Sequence, residues 1–251
     1  MSEINVVSAV DEICAQPALT PELIFKLRRM ARNNLQERNV LQSRHSALDG
    51  ETLAKDEKAL RQAVFAWVLF RLDLAEQTAK ELSGALGHLL KGGIAMDRER
   101  YDEAVSHLKS AAEQLHVPRI HVEIAAALRA SGKVEDAIAV LERVEKQGHA
   151  DADLLFQKGR CLEQQSKQES SCTCYEKALE LDPQHADAAF RLAYYLDLRG
   201  EDQKAIELYK RGEIQKLKDY CLQDVKITKD IYELIKKQGH LWIPDRYSSQ
   251  M

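Results

Sequence analysis

Tyr175 and Tyr209 stand 34 residues apart, as do Ser171 and Ala205, and Gly159 and Ala193. Self-similarity at a fixed period over 151–211 constrains this chain more than any single residue does. A period of 34 is one helix–turn–helix unit, too small to bury its own apolar face, so neighbouring units must stack into a solenoid. The chain is therefore expected to be all-α. Its low content of 11 Gly and 5 Pro agrees.

The unit is visible in its second helix. "RYDEAVSHLKSAAEQ" supplies Ala104, Leu108 and Ala111; "GKVEDAIAVLERVEKQ" supplies Ala137, Leu141 and Val144; "SSCTCYEKALELDP" supplies Ser171, Tyr175, Ala178 and the closing Pro183. "GEDQKAIELYKRG" supplies Ala205 and Tyr209, with Gly212 where Ala is expected. Small residues recur where the two helices of a hairpin touch. Gly132 and Gly200 fall in the turn between those helices, where glycine takes positive φ at little cost. This pattern resembles the tetratricopeptide repeat (TPR) family from about residue 85 onward. The resemblance implies a right-handed solenoid of antiparallel helix hairpins, with units at 85–117, 118–151 and 152–185 and a fourth starting at Ala186. Within it, "AAFRLAYYLDLRGEDQKAIELYK" is similar to bacterial TPR proteins. The expected organisation is an N-terminal helical region (1–84) of degenerate repeats or a separate cap, a TPR array (85–212), and a C-terminal helix and tail (213–251).

The N-terminal region reads as helices. Ile4, Val7, Val10, Ile13 and Cys14 lie at helical spacing. Thr20 suits an N-cap, with Pro21 at the first helical position and Glu22 at the positive helix end. From there to about Ala47, Arg28, Arg29, Arg32, Arg38 and Arg44 form the densest basic face. Net charge is −4, so nothing global favours nucleic acid, and a solvated helix face is the preferred reading. A long helix is expected over 51–83, with Trp67 as a core anchor. Its most apolar run, "AVFAWVLF" at 63–70, is eight residues long, and a membrane span needs about 20. No secretory leader opens the sequence and the five cysteines are irregularly spaced, which points to reduced thiols and the cytoplasm.

The TPR resemblance also implies where a partner would sit, on the concave groove lined by the first helix of each hairpin. At the fifth position of successive units stand Val122, Phe156 and Phe190, and at the ninth Ala126, Arg160 and Tyr194. An apolar stripe of Val122, Phe156, Phe190 and Tyr194 flanked by Arg119, Arg129 and Arg160 suits an extended or helical peptide with an acidic residue. The competing reading is that some of these aromatics pack between repeats. The Lys and Asn pattern of chaperone-type carboxylate clamps is missing.

Chemistry is otherwise thin. Asp49-Gly50-Glu51 matches a nuclease D-x-E but has helical flanks, and Cys172-x-Cys174 lacks the further ligands a zinc site needs. No phosphate-loop, esterase or zincin motif occurs. No metal or cofactor is expected. After Arg211 the phase is lost, and Ile214, Leu217, Cys221, Val225, Ile231 and Ile235 support a helix over 213–237 that would cap the array. There "DYCLQDVKITKDIYE" resembles the last helix of DEDD-type 3′–5′ exonuclease domains. That likeness implies Tyr220 and Asp224 as water-orienting and metal-binding residues, but no strand-borne carboxylates accompany them. The first expectation is a non-enzymatic scaffold or adaptor that binds a protein or peptide. The alternative is a nucleic-acid-processing protein whose exonuclease-like tail is inactive alone, and a third is homo-oligomerisation through an uncapped end.

Overall fold

The computed structural model describes residues 8–201 with Lys204 and Glu207, Arg32 and Asn33 by backbone only. The chain divides into two units, 1–212 and 213–251, and the first holds all the described residues. The helix expected over 213–237, with Tyr220 and Asp224, lies outside them. The described residues form twelve α-helices and no strand. They are α1 (Ala9–Cys14), α2 (Pro21–Asn33), α3 (Leu35–Ala47), α4 (Lys55–Val68), α5 (Leu72–Ala79), α6 (Gly84–Asp97), α7 (Tyr101–Leu115), α8 (Pro118–Ala130), α9 (Val134–Lys146), α10 (Ala152–Gln164), α11 (Gln168–Leu181) and α12 (Ala186–Leu198).

The hairpins α6–α7, α8–α9 and α10–α11 are the units expected from the period, with α12 opening a fourth. One local device ends every first helix. A residue of positive φ follows it, Glu99 (60°), Gly132 (83°), Ser166 (60°) or Gly200 (74°). The next amide then donates back to a carbonyl five residues earlier: Arg100 to Ala95, Lys133 to Leu128, Lys167 to Leu162, Glu201 to Leu196, at 2.8–2.9 Å. This is the six-to-one bond of a Schellman cap.

The same device stands earlier in the chain. Phe70 has φ 59° and the Arg71 amide reaches Ala66 O at 2.9 Å. The single helix expected over 51–83 is therefore two, and α4–α5 is another hairpin of the series. The helical stretch expected from Thr20 to Ala47 is likewise two. Asn34 leaves helical φ (−139°) and its side chain accepts from the amides of Gln36 (2.9 Å) and Glu37 (3.3 Å), which starts α3. Thr20 caps α2 as expected, accepting from the Leu23 amide at 3.4 Å.

The small residues on the first helices have a steric cause. A Cβ on Gly159 would lie 2.5 Å from Tyr175 Cε1, and one on Gly92 would lie 2.7 Å from Leu108 Cγ. Backbone on one helix meets a large side chain on its hairpin partner. A single buried cluster then runs from Val10 through every hairpin to Leu196.

Ahead of α4, the first three helices are held by polar ties. Glu37 of α3 accepts from the Ser8 hydroxyl (2.7 Å) and the Val10 amide (3.0 Å), closing the start of α1. Arg61 of α4 is only 1% exposed. It donates to Glu57 (2.6 Å), to the Cys14 carbonyl (2.6 Å) and to the Gln16 carbonyl, gathering the end of α1. Helix α2 is held by Arg28, which grips Asp97 at the end of α6 with two bonds (2.7 and 2.9 Å) and stacks 3.9 Å over Trp67. Trp67 Nε1 donates to the same carboxylate at 2.7 Å. Trp67 is thus a core anchor, lying so close to Gly93 that a Cβ there would collide with its ring.

Candidate peptide-binding face

The first helices α8, α10 and α12 bring the expected binding residues onto successive repeats, but in different states. Val122 is 3% exposed and Phe156 7%, so both are packing residues with little surface to offer. Phe156 lies between the Tyr175 ring (5.8 Å) and the His185 ring (5.0 Å), across the joint between one repeat and the next. Phe190 and Tyr194 differ. They are 39% and 45% exposed, and Leu198 continues the ridge at 62%. These three follow one another every four residues along α12, which places them on one side of the helix.

The three expected arginines also part company. Arg119 is engaged within the molecule: it bonds Glu123 at 3.2 Å and Asp153 of the next repeat, and lies 5.7 Å over Phe25 of α2. Burial alone would lower the Arg119 affinity for its proton, but Glu123 and Asp153 outweigh it and raise it. Asp153 also receives the His185 ring at 3.2 Å. Because His185 Nδ1 accepts from the Ala188 amide (3.2 Å), Nε2 carries the hydrogen that it gives to Asp153. Burial would raise the Asp153 carboxyl; the His185 hydrogen bond and the Arg119 charge together hold it well below the usual carboxylate range.

Arg160 contacts Glu163 (3.2 Å) and lies 5.9 Å over Phe156. Glu163 is a shared acceptor: Tyr175 Oη donates to it at 2.8 Å and Arg191 of α12 at 3.0 Å. Arg129 makes no hydrogen bond or ion pair among the described residues, and its Nε is shut off from solvent. This orphan is invisible in the sequence, because it depends on how neighbouring repeats pack.

Helix α2 adds a feature that periodicity did not signal. Besides Phe25 over Arg119, its Arg29 pairs with Asp182, 153 residues away at the end of α11. The basic face of α2 and α3 is used inside the molecule: Arg28 on Asp97, Arg29 on Asp182, Arg38 on the Ala31 carbonyl (2.9 Å) and Arg44 on Asp11 (2.6 Å). Cys14, Cys161, Cys172 and Cys174 are free thiols, and burial pushes Cys161 up to about 11. No group of three or more His, Cys, Asp or Glu side chains among the described residues could hold a metal ion. No described helix is long and apolar enough to cross a membrane.

Family models described as tetratricopeptide repeat match residues 95–155, 152–185 and 174–207. Residues 95–207 thus match tetratricopeptide repeats. Among solved structures, the chain is similar to the Cut9–Hcn1 hetero-tetramer of the APC/C, with a TM-score of 0.64 at 14% identity. That match covers 86% of this chain and 44% of the other, so the chain spans under half of that relative's length. MamA matches at 16% identity and TM-score 0.48, over 68% of this chain and 99% of MamA. YrrB, titled a TPR protein with an unusual peptide-binding site, matches at 19% identity and TM-score 0.43, over 66% of this chain and 88% of YrrB. No curated protein matches the chain. The fold is that of an all-α TPR solenoid, a frame that supports protein interaction.

Proposed function

We propose that this protein is a non-enzymatic scaffold or adaptor whose first-helix face binds a peptide segment of a partner protein, with Phe190 and Tyr194 as the apolar anchors. The ridge of Phe190, Tyr194 and Leu198 on α12 carries the reading. Three large apolar side chains on one side of one helix, all more than a third exposed, are what an interface core uses and a solvated helix face does not. Burying an aromatic side chain of this kind contributes roughly 2 kcal/mol, so two anchors supply a large share of a micromolar affinity.

Val122 and Phe156 serve this site from beneath, holding the helices that present it. Arg119 sets the angle between α8 and α10 through Asp153 and does not meet the peptide. Arg160, beside the Phe156 ring, supplies a polar border.

The test is binding to an immobilised library of ten-residue peptides. Phe190→Ser with Tyr194→Ser should lower binding of every selected peptide by about tenfold or more, with the helical circular-dichroism spectrum retained at the temperature of the binding assay. Selected peptides that bind the double variant as well as the parent protein would overturn the assignment.

A further inference from the structure

Stacking by itself brings each repeat into contact with its neighbours only. Helix α2 departs from that. Its inner side is fixed in the N-terminal block, with Ile24, Leu27 and Ala31 buried and Arg28 on Asp97 by two bonds. From this seat two routes of contact run to the far end of the described array. In the first, Arg29 pairs with Asp182, past the three hairpins α6–α7, α8–α9 and α10–α11. In the second, the Arg119 guanidinium lies 5.7 Å over the Phe25 ring and bonds Asp153. Asp153 accepts from the His185 ring, and His185 Nδ1 accepts the Ala188 amide in the first turn of α12. Both routes end on one turn. Asp182 Oδ1 takes the Gln184 amide at 3.1 Å, and the Asp182 carbonyl takes the His185 amide at 3.0 Å. The residue that receives Arg29 and the residue that caps α12 therefore belong to the same hydrogen-bonded turn.

We infer that α2 is a strap that seats α12: anchored in the N-terminal block, it holds the Asp182–His185 turn from outside the neighbouring repeats and so fixes where α12 begins. The strap concerns how α12 is held and stands whether or not the ridge on that helix binds a peptide. Its two routes differ in shielding. The Arg29 side chain is 57% exposed, so its attraction to Asp182 is modest and is screened by salt. His185 is buried, and Arg119 and Asp153 are largely covered, so the second route persists when the first is screened. The exposed pair is thus a latch that ionic strength loosens, and the buried side of α2 is the fixed end. Helix α12 is also tied directly to the preceding repeat, by Arg191 on Glu163 at 3.0 Å. Opening the latch therefore loosens α12 without unfolding it.

The experiment is hydrogen–deuterium exchange of the full chain, read by mass spectrometry on peptic peptides. Peptides from α12 report the strap, and peptides from α9, which neither route touches, are the reference. At low salt, Arg29→Asp should speed exchange in α12 about threefold to fivefold and leave α9 unchanged. Arg29→Asp combined with Asp182→Arg should return α12 to the parent rate. Raising sodium chloride to about 1 M should speed α12 in the parent by a similar factor and leave Arg29→Ala unchanged, because that variant has no latch to screen. The strap is overturned by α12 exchange that Arg29→Asp does not change, that Asp182→Arg fails to bring back, that rises equally in α9, or that ignores salt in the parent.

Discussion

Arg61, in the N-terminal block, is 1% exposed and gives its donors to Glu57 and to the carbonyls of Cys14 and Gln16. Arg129, in the repeat array, is half-buried, and its Nε is shut off from solvent and meets no acceptor. The first arginine closes a fold by satisfying chain ends that would otherwise be buried without partners. The second leaves a closed-off donor without a partner. The contrast extends beyond this pair. In the N-terminal block Arg28 and Arg44 are ion-paired too, while the array shows an exposed ridge on α12 and, at Arg129, a guanidinium Nε without an acceptor. One region uses polar groups to hold helices together, and the other leaves large apolar side chains exposed and one guanidinium donor without an acceptor among the described residues.

The contrast breaks most visibly in the core of the block. Arg61→Met takes the arginine away from Glu57, which keeps only the Leu19 amide, and from two carbonyls, and should cost about 3–5 kcal/mol, read as a lower urea midpoint. Next come the close helix contacts. Gly159→Ala in the array and Gly93→Ala beneath Trp67 each force a side chain against a ring, and each should cost about 2–3 kcal/mol in the same assay. Trp67→Phe removes one hydrogen bond to the Asp97 carboxylate and should cost about 1.5 kcal/mol. The Asp153 tie adds a pH dependence. Its folded-state affinity for protons is depressed, so its stabilisation is fully present above the ordinary carboxylate value of about 3.9 and is lost as pH falls below it. Asp153→Asn should therefore flatten the acid limb of a stability profile below about pH 4. Arg29→Ala should be the smallest effect, below about 1 kcal/mol, because that arginine is 57% exposed.

Much of the fold was legible because its causes are local. Gly132 and Gly200 mark helix turns by the φ they adopt, and Gly159 sits opposite Tyr175 because two helices touch there. Sequence spacing runs α4 and α5 together as one helix because Phe70 occupies the left-handed position where glycine would have announced a turn. Glu99 and Ser166 do the same in recognised repeats, where the period around them compensates. The proposed binding face was legible only as positions. Spacing placed Val122, Phe156, Phe190 and Tyr194 on equivalent sites, but burial depends on what the next repeat lays over each one. The roles of the arginines depend on pairings across repeats, such as Arg119 with Asp153 and Arg191 with Glu163, and periodicity does not encode these.

Whether the array carries a half-buried cation that its fold does not need is decided by urea denaturation, without ligand, of Arg129→Met beside Arg61→Met and the parent protein. Arg129→Met is expected to be as stable as the parent or more so, while Arg61→Met should be several kcal/mol less stable. A loss in Arg129→Met comparable to that in Arg61→Met would contradict this, because Arg129 would then be a structural arginine like the other.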